Sequence, residues 1–75
     1  MSGTSRPRKH SLTLRGHRTS VSLEDAFWTE LQRLADLEGK SVNELVAEID
    51  AARGVKSGLA SAIRVHVLER VKAES

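Results

Sequence analysis

The chain has 75 residues, no cysteine, one Phe, one Trp and no Tyr, which caps it at a single domain and rules out disulfides or a cysteine-based zinc site as supplements to a small core; association of copies is the remaining remedy. Its net charge of +2 hides an asymmetry: Arg6, Arg8, Lys9, Arg15 and Arg18 all precede the first acidic residue, Glu24, after which all ten acidic residues face only seven basic ones, a pattern that suits a polyanion approached from one side. No apolar run nears the roughly 20 residues of a membrane span and the N-terminus lacks an apolar signal core, so a reducing cytoplasmic location is expected, in keeping with the absence of cysteine.

Residues 1–10 carry Ser, Gly, Pro and basic charge without apolar periodicity and are expected to form a flexible basic arm ahead of a single domain over 11–75. Ser11 to Arg15 alternates, with Leu12 and Leu14 on one face. Two arrangements stay open for it. Either it extends the arm over the body, or Gly16-His17 forms a tight turn of a local hairpin pairing Leu12 with Val21 and Leu14 with Thr19. The second would set Arg15 opposite Arg18, a repulsive cross-strand pair.

The next run, His17 to Leu23, is the clearest strand. Thr19, Val21 and Leu23 alternate with Arg18, Ser20 and Ser22, so one set is buried and the other faces outward. A lone strand cannot satisfy its own backbone. The same strand of a second copy is the simplest partner. The outward Arg-Ser-Ser face consists of groups able to read base edges in a DNA major groove.

A first helix is expected from near Ser22, with Ser22 and Asp25 as a capping box and Glu24 and Asp25 at the positive end of the dipole. Phe27, Leu31 and Leu34 recur at helical spacing beside Trp28 and Ala35, and Gly39 ends the helix. Ser41-Val42-Asn43-Glu44 is a full capping box, worth ~1 kcal/mol at the cap. It opens a second helix with Val42, Leu45, Val46, Ile49 and Ala52 as its apolar stripe and Arg53-Gly54 as its end. Ser57 is expected to cap a third helix over 57–73, with Leu59, Ala62, Ile63, His66, Val67 and Val71 on one side. The third helix reads first as extra core and second as a surface for a protein partner.

Chemistry-bearing clusters are sparse. His10, His17 and His66 lack metal-ligand spacing, so no metal and no cofactor are expected, and the histidines read as surface or groove-edge groups. There is no phosphate-cradling Gly-rich loop, no thiol nucleophile and no Ser-His-Asp set, so an enzyme is not expected. Trp28, beside Phe27 on an amphipathic helix, reads as core or interface.

The run Arg18-Thr19-Ser20-Val21-Ser22-Leu23-Glu24-Asp25, followed by Phe27, Leu31 and Leu34 and then Gly39-Lys40-Ser41-Val42-Asn43-Glu44-Leu45, resembles the ribbon-helix-helix (Arc/MetJ-like) family of small bacterial and phage DNA-binding proteins, in a branch with a basic N-terminal arm. The resemblance implies a mostly α homodimer in which each subunit gives one short strand to an intermolecular two-stranded antiparallel ribbon, here with an added C-terminal helix. It implies base contacts from Arg18, Ser20 and Ser22. It implies phosphate contacts from Lys40, Ser41, Val42 and Asn43 at a helix amino end, joined by Arg6, Arg8, Lys9 and Arg15 of the basic segment. Thr19, Val21, Leu23 and Phe27 would form the dimer interface. The implied activity is a transcriptional regulator, a repressor that occupies a palindromic or repeated operator on double-stranded DNA. The alternative is a dimeric protein-interaction module, an antitoxin-like partner or adaptor working through the C-terminal helix without specific DNA binding.

Overall fold

The strand partner turns out to lie within the chain. In the computed structural model, which describes residues 6–54 and 58–75, β1 (Arg8–Leu14) and β2 (His17–Leu23) form an antiparallel hairpin, followed by α1 (Asp25–Leu37), α2 (Val42–Ala52) and α3 (Leu59–Glu74). Of the two arrangements left open for Ser11 to Arg15, the hairpin is the one adopted. The chain therefore carries two strands instead of one, and the ribbon is made locally. β1 covers one edge of β2, and the other edge of β2 has no strand partner within the described residues of the chain. Arg8, Lys9 and His10, expected in the arm, are strand residues. Ser57, expected as a cap, lies outside the described residues, and α3 is entered from Gly58.

The turn sits one residue earlier than expected. Arg15 and Gly16 occupy the loop with φ of 53° and 85°, and Leu14 pairs with His17, Leu12 with Thr19 and His10 with Val21. Two positive φ values in a two-residue loop mark a type I′ turn, whose twist matches that of the strands. This register moves Arg15 to the tip and sets Thr13 across from Arg18, which removes the like-charge pair. The cost falls on Arg15, because a side chain with a Cβ is disfavoured in the left-handed region. Arg15→Asn, which gives the turn its preferred Asn-Gly pair, is expected to stabilise the fold by roughly 0.5–1 kcal/mol, seen as a melting temperature higher by about 3–6 °C.

Alternation along both strands puts Leu12, Leu14, Val21 and Leu23 on the helix-facing side, all buried. Three helices cover that face, with α2 packed on β1 and α3 on β2. Leu31, Leu34 and Ala35 of α1, Leu45, Val46 and Ile49 of α2, and Ile63 and Val67 of α3 complete one core. Among the described residues no polar or charged residue is buried. Thus α3 is core, as its apolar stripe suggested.

Two helix ends, the start of α2 and the end of α1, follow the local chemistry expected of them. Ser41 Oγ accepts from Glu44 N at 3.1 Å, and Glu44 Oε1 accepts from Ser41 N at 2.8 Å, which completes the expected capping box. Gly39, at φ 69°, ends α1; its N–H reaches Asp36 O and that of Lys40 reaches Ala35 O, a Schellman closure. The start of α1 departs from expectation. Ser22 remains in β2, and the cap is Glu24, with no side-chain capping bond. Glu24 is drawn instead to Arg64 of α3, at 2.8 Å. No helix among the described residues is long and apolar enough to cross a membrane.

Candidate nucleic-acid interface

The face of the hairpin turned away from the helices is built by strand parity. Lys9, Ser11 and Thr13 of β1 and Arg18, Ser20 and Ser22 of β2 are all exposed. The register sets them side by side as Lys9–Ser22, Ser11–Ser20 and Thr13–Arg18. In a two-residue hairpin these are the non-hydrogen-bonded pairs, whose side chains stand closest, with Cα atoms about 4.5 Å apart. Arg15 projects at the exposed tip. Arg18, Ser20 and Ser22 therefore form one outward row, as expected. The companion row goes beyond expectation: Ser11 and Thr13 carry no role in the sequence pattern of β2 alone, and Lys9 is expected in the arm. The signal for them is the Ser11-Leu12-Thr13-Leu14 alternation, which points Ser11 and Thr13 outward once Leu12 and Leu14 are buried.

Charge distinguishes this face from the body. No acidic residue occurs before Glu24, and Lys9, Arg15 and Arg18 have no ion pair among the described residues. The body's cations are mostly committed. Arg33 bonds Glu30 and Glu74 at 2.7 and 3.0 Å, Arg64 bonds Glu24 at 2.8 Å, Arg53 bonds Asp50 at 2.6 Å and Arg70 bonds Glu38. A cation without a carboxylate partner gives up less on meeting a phosphate.

The other expected phosphate contacts divide. Arg6 is exposed just ahead of β1. Arg8 falls on the opposite parity from Lys9 and lies 3.4 Å from Asp25, both well exposed, a pair of little strength. At the α2 amino end, Asn43 Oδ1 accepts from Thr13 N at 3.3 Å and so ties this helix start to β1. Ser41 N is already engaged by the Glu44 carboxylate, which leaves the Val42 and Asn43 N–H groups without helical acceptors. Lys40 is held by two carboxylates, Glu48 at 2.6 Å and Glu38 at 3.1 Å. These hydrogen bonds, Glu48's first, raise its pKa. The chain's own acids thus occupy much of the place expected for a phosphate.

The residues expected at a dimer seam divide by burial within the single chain. Val21 and Leu23 are buried by the chain's own helices, while Thr19 and Phe27 are half-buried. His10 lies on the core side of β1 and stacks on Trp28, with ring centroids 3.8 Å apart and planes 6° from parallel, so it is not a groove-edge group. His17 is exposed near the turn, and His66 is half-buried on α3. Among the described residues no group of three or more His, Cys, Asp or Glu could hold a metal ion.

Glu38 links three elements, bonding Arg70 of α3 and Lys40 before α2. Those hydrogen bonds, Arg70's first, hold its carboxyl below the ordinary 4.5. Glu24 is lowered chiefly by a backbone hydrogen bond and then by Arg64, and Glu44 chiefly by the Ser41 backbone. A carboxyl with a depressed folded-state pKa contributes stability above its unfolded value and loses it as pH falls through the folded one. Melting temperature should therefore hold steady from pH 7 to 5 and decline below the ordinary glutamate value of 4.5. Circular-dichroism melts across pH 3–7 test this; a flat profile to pH 3 would show these contacts to be inert.

A family model described as a ribbon-helix-helix domain matches residues 7–71. Comparison with curated proteins and with solved structures finds no significant match.

Proposed function

The chain belongs to the ribbon-helix-helix family, broadly one of DNA-binding transcription regulators, and from that premise we propose that it is a sequence-specific DNA-binding regulator that works as a homodimer and represses by occupying its operator. The outward face of the hairpin enters the major groove. Arg18 addresses guanine O6 and N7 with its fork of donors, and Ser20 and Ser22 make shorter, less discriminating contacts. Lys9, Arg15 and Arg6 meet phosphates, with Arg8 at the margin. The Ser41–Asn43 helix start offers backbone N–H groups to one more phosphate, and Lys40 joins it only by leaving Glu38 and Glu48.

One observation carries this reading: the hairpin presents an exposed, acid-free polar face with unpaired cations, directly opposite the face that builds the core. A structural strand face would serve equally well with mixed charges. The test is a fluorescence-anisotropy titration of the protein on duplex DNA at two salt concentrations. Each neutralised phosphate releases counterions, so four contacts lower affinity on the order of 100-fold between about 50 and 200 mM salt. Absence of binding at low salt, or binding indifferent to salt, would defeat the reading.

A second reading has one observation in its favour. Val65 and Leu68 on α3 are 52% and 55% exposed, more apolar surface than the core requires of this helix. A protein-interaction module of the antitoxin-like kind would use that surface, and it would show no DNA binding in the same titration.

A further inference from the structure

Given the DNA-binding role proposed above, we propose that the two outward rows of the hairpin have different tasks: β2 reads bases, while β1 holds the DNA backbone through the Ser11 and Thr13 hydroxyls beside Lys9. The rows differ in chemistry. β2 presents Arg18, Ser20 and Ser22, and β1 presents Lys9, Ser11 and Thr13, all exposed. Among these only Arg18 has the bidentate fork that tells guanine from other bases. Lysine and short hydroxyls are common ligands of phosphate oxygens, which position a protein without carrying sequence information.

The strand edges decide which row lies at the flank. On β1, the Thr13 N–H that points away from β2 is taken by Asn43 Oδ1 of α2 at 3.3 Å. The outer edge of β2 has no strand partner among the described residues. A second copy in the proposed homodimer therefore adds at β2, and β1 becomes the outer strand on each side. Neighbouring strands lie about 4.8 Å apart, which puts β2 about 2.4 Å and β1 about 7 Å from the two-fold axis. The major groove is about 12 Å wide, so its walls stand about 6 Å from its centre. β2 thus lies over the groove floor and β1 over the phosphate ridge. On the ridge a short side chain suffices. Nearer the axis, the long Arg18 side chain reaches down to base edges.

Charge agrees with this placement. Ser11 and Thr13 stand between Lys9 and the tip residue Arg15, neither of which has an ion pair among the described residues. Glu44 and Glu48 flank Thr13 and Arg15 on the α2 side, which keeps an anion to the outward side of β1. The register carries the hydroxyls along with the reading row, with Ser11 beside Ser20 and Thr13 beside Arg18.

The experiment is a set of anisotropy titrations of the full chain and its Ser11→Ala/Thr13→Val double variant. The probes are a selected duplex, a scrambled duplex, and the selected duplex with neutral methylphosphonate linkages along the groove flank. Valine keeps the β-branch that suits a strand, and a melting temperature equal to that of the wild type shows the variant to be folded. The double variant is expected to lose affinity roughly 10-fold on both unmodified duplexes alike, the effect of one or two neutral hydrogen bonds. Its salt dependence should stay that of the wild type, because a hydroxyl neutralises no phosphate. Methylphosphonates should weaken the wild type more than the variant. Should the double variant fail to fold, Ser11→Ala alone carries the test, with a loss of about 3-fold on both duplexes. A loss confined to the selected duplex would make Ser11 and Thr13 base readers, and no loss on either would leave β1 a solvated strand face. Both results overturn the division of tasks while leaving DNA binding intact. Failure of the wild type to bind any duplex at low salt overturns the DNA-binding reading itself.

Discussion

Val21→Asp is expected to abolish folding of the chain, not merely to separate two copies. Val21 is only 5% exposed, on the helix-facing side of β2 across from His10. Removing the isopropyl group forfeits about 1.5–3 kcal/mol of burial. An ionised carboxylate in its place, among apolar neighbours and without a designed partner, adds several kcal/mol more. A chain of 75 residues has a total stability of roughly 4–11 kcal/mol at ordinary values per residue. The substitution consumes most or all of that. Far-UV circular dichroism should show loss of helix, with no cooperative melt. A Val21→Asp protein that stayed folded and lost only its self-association would move Val21 from the core to an interface between copies.

The contrast between those outcomes shows how far the sequence could be read. Helical stripes were legible because burial depends on residues three and four apart, and Leu31, Leu34, Leu45, Val46, Ile49, Ile63 and Val67 are the core of the structure. The Ser41–Glu44 capping box was legible because both of its bonds lie within four residues. The strand faces were legible too, and for the same reason the register was not. The expected and observed pairings differ by two residues, and a shift of two keeps every side chain on its own face. Hydrophobic pattern is blind to such a shift. Turn geometry settles it, since the hairpin accepts Arg15 at positive φ and thereby avoids an Arg15–Arg18 pair.

What the sequence hid is long-range. Glu24 serves as the α1 cap position while its carboxylate answers to Arg64, forty residues away. Lys40 looks in sequence like a cation beside an open helix start, but Glu48, eight residues on, and Glu38 hold it. His10 has the sequence neighbours of a basic-arm group, yet it stacks on Trp28. Apart from Glu38, two residues before Lys40, none of these partners is close enough in sequence for a local pattern to announce it. The Glu24–Arg64 and Lys40 pairs offset charge on the body, whereas Lys9, Arg15 and Arg18 of the hairpin have no ion pair among the described residues.

Arg18→Ala is expected to weaken a preferred DNA site by about 10–100-fold, or ~1–3 kcal/mol, and random DNA by less. Arg18 is exposed, stands next to Thr13 across the hairpin, and makes no ion pair among the described residues. Its removal should therefore leave the melting temperature unchanged, so any loss of affinity is a loss of contact. The measurement is selection of a preferred duplex from a random pool, followed by anisotropy titrations of both proteins on the selected and a scrambled duplex. Equal losses on the two would make Arg18 a phosphate contact. Arg18→Lys sharpens the distinction, because Lys keeps the charge but lacks the planar fork that spans O6 and N7. Random DNA should be bound nearly as well by the Lys variant as by the wild type, while the selected site stays weakened. A lysine that restored both would reduce Arg18 to a point charge, and sequence preference would then have to come from Ser11, Thr13, Ser20 and Ser22.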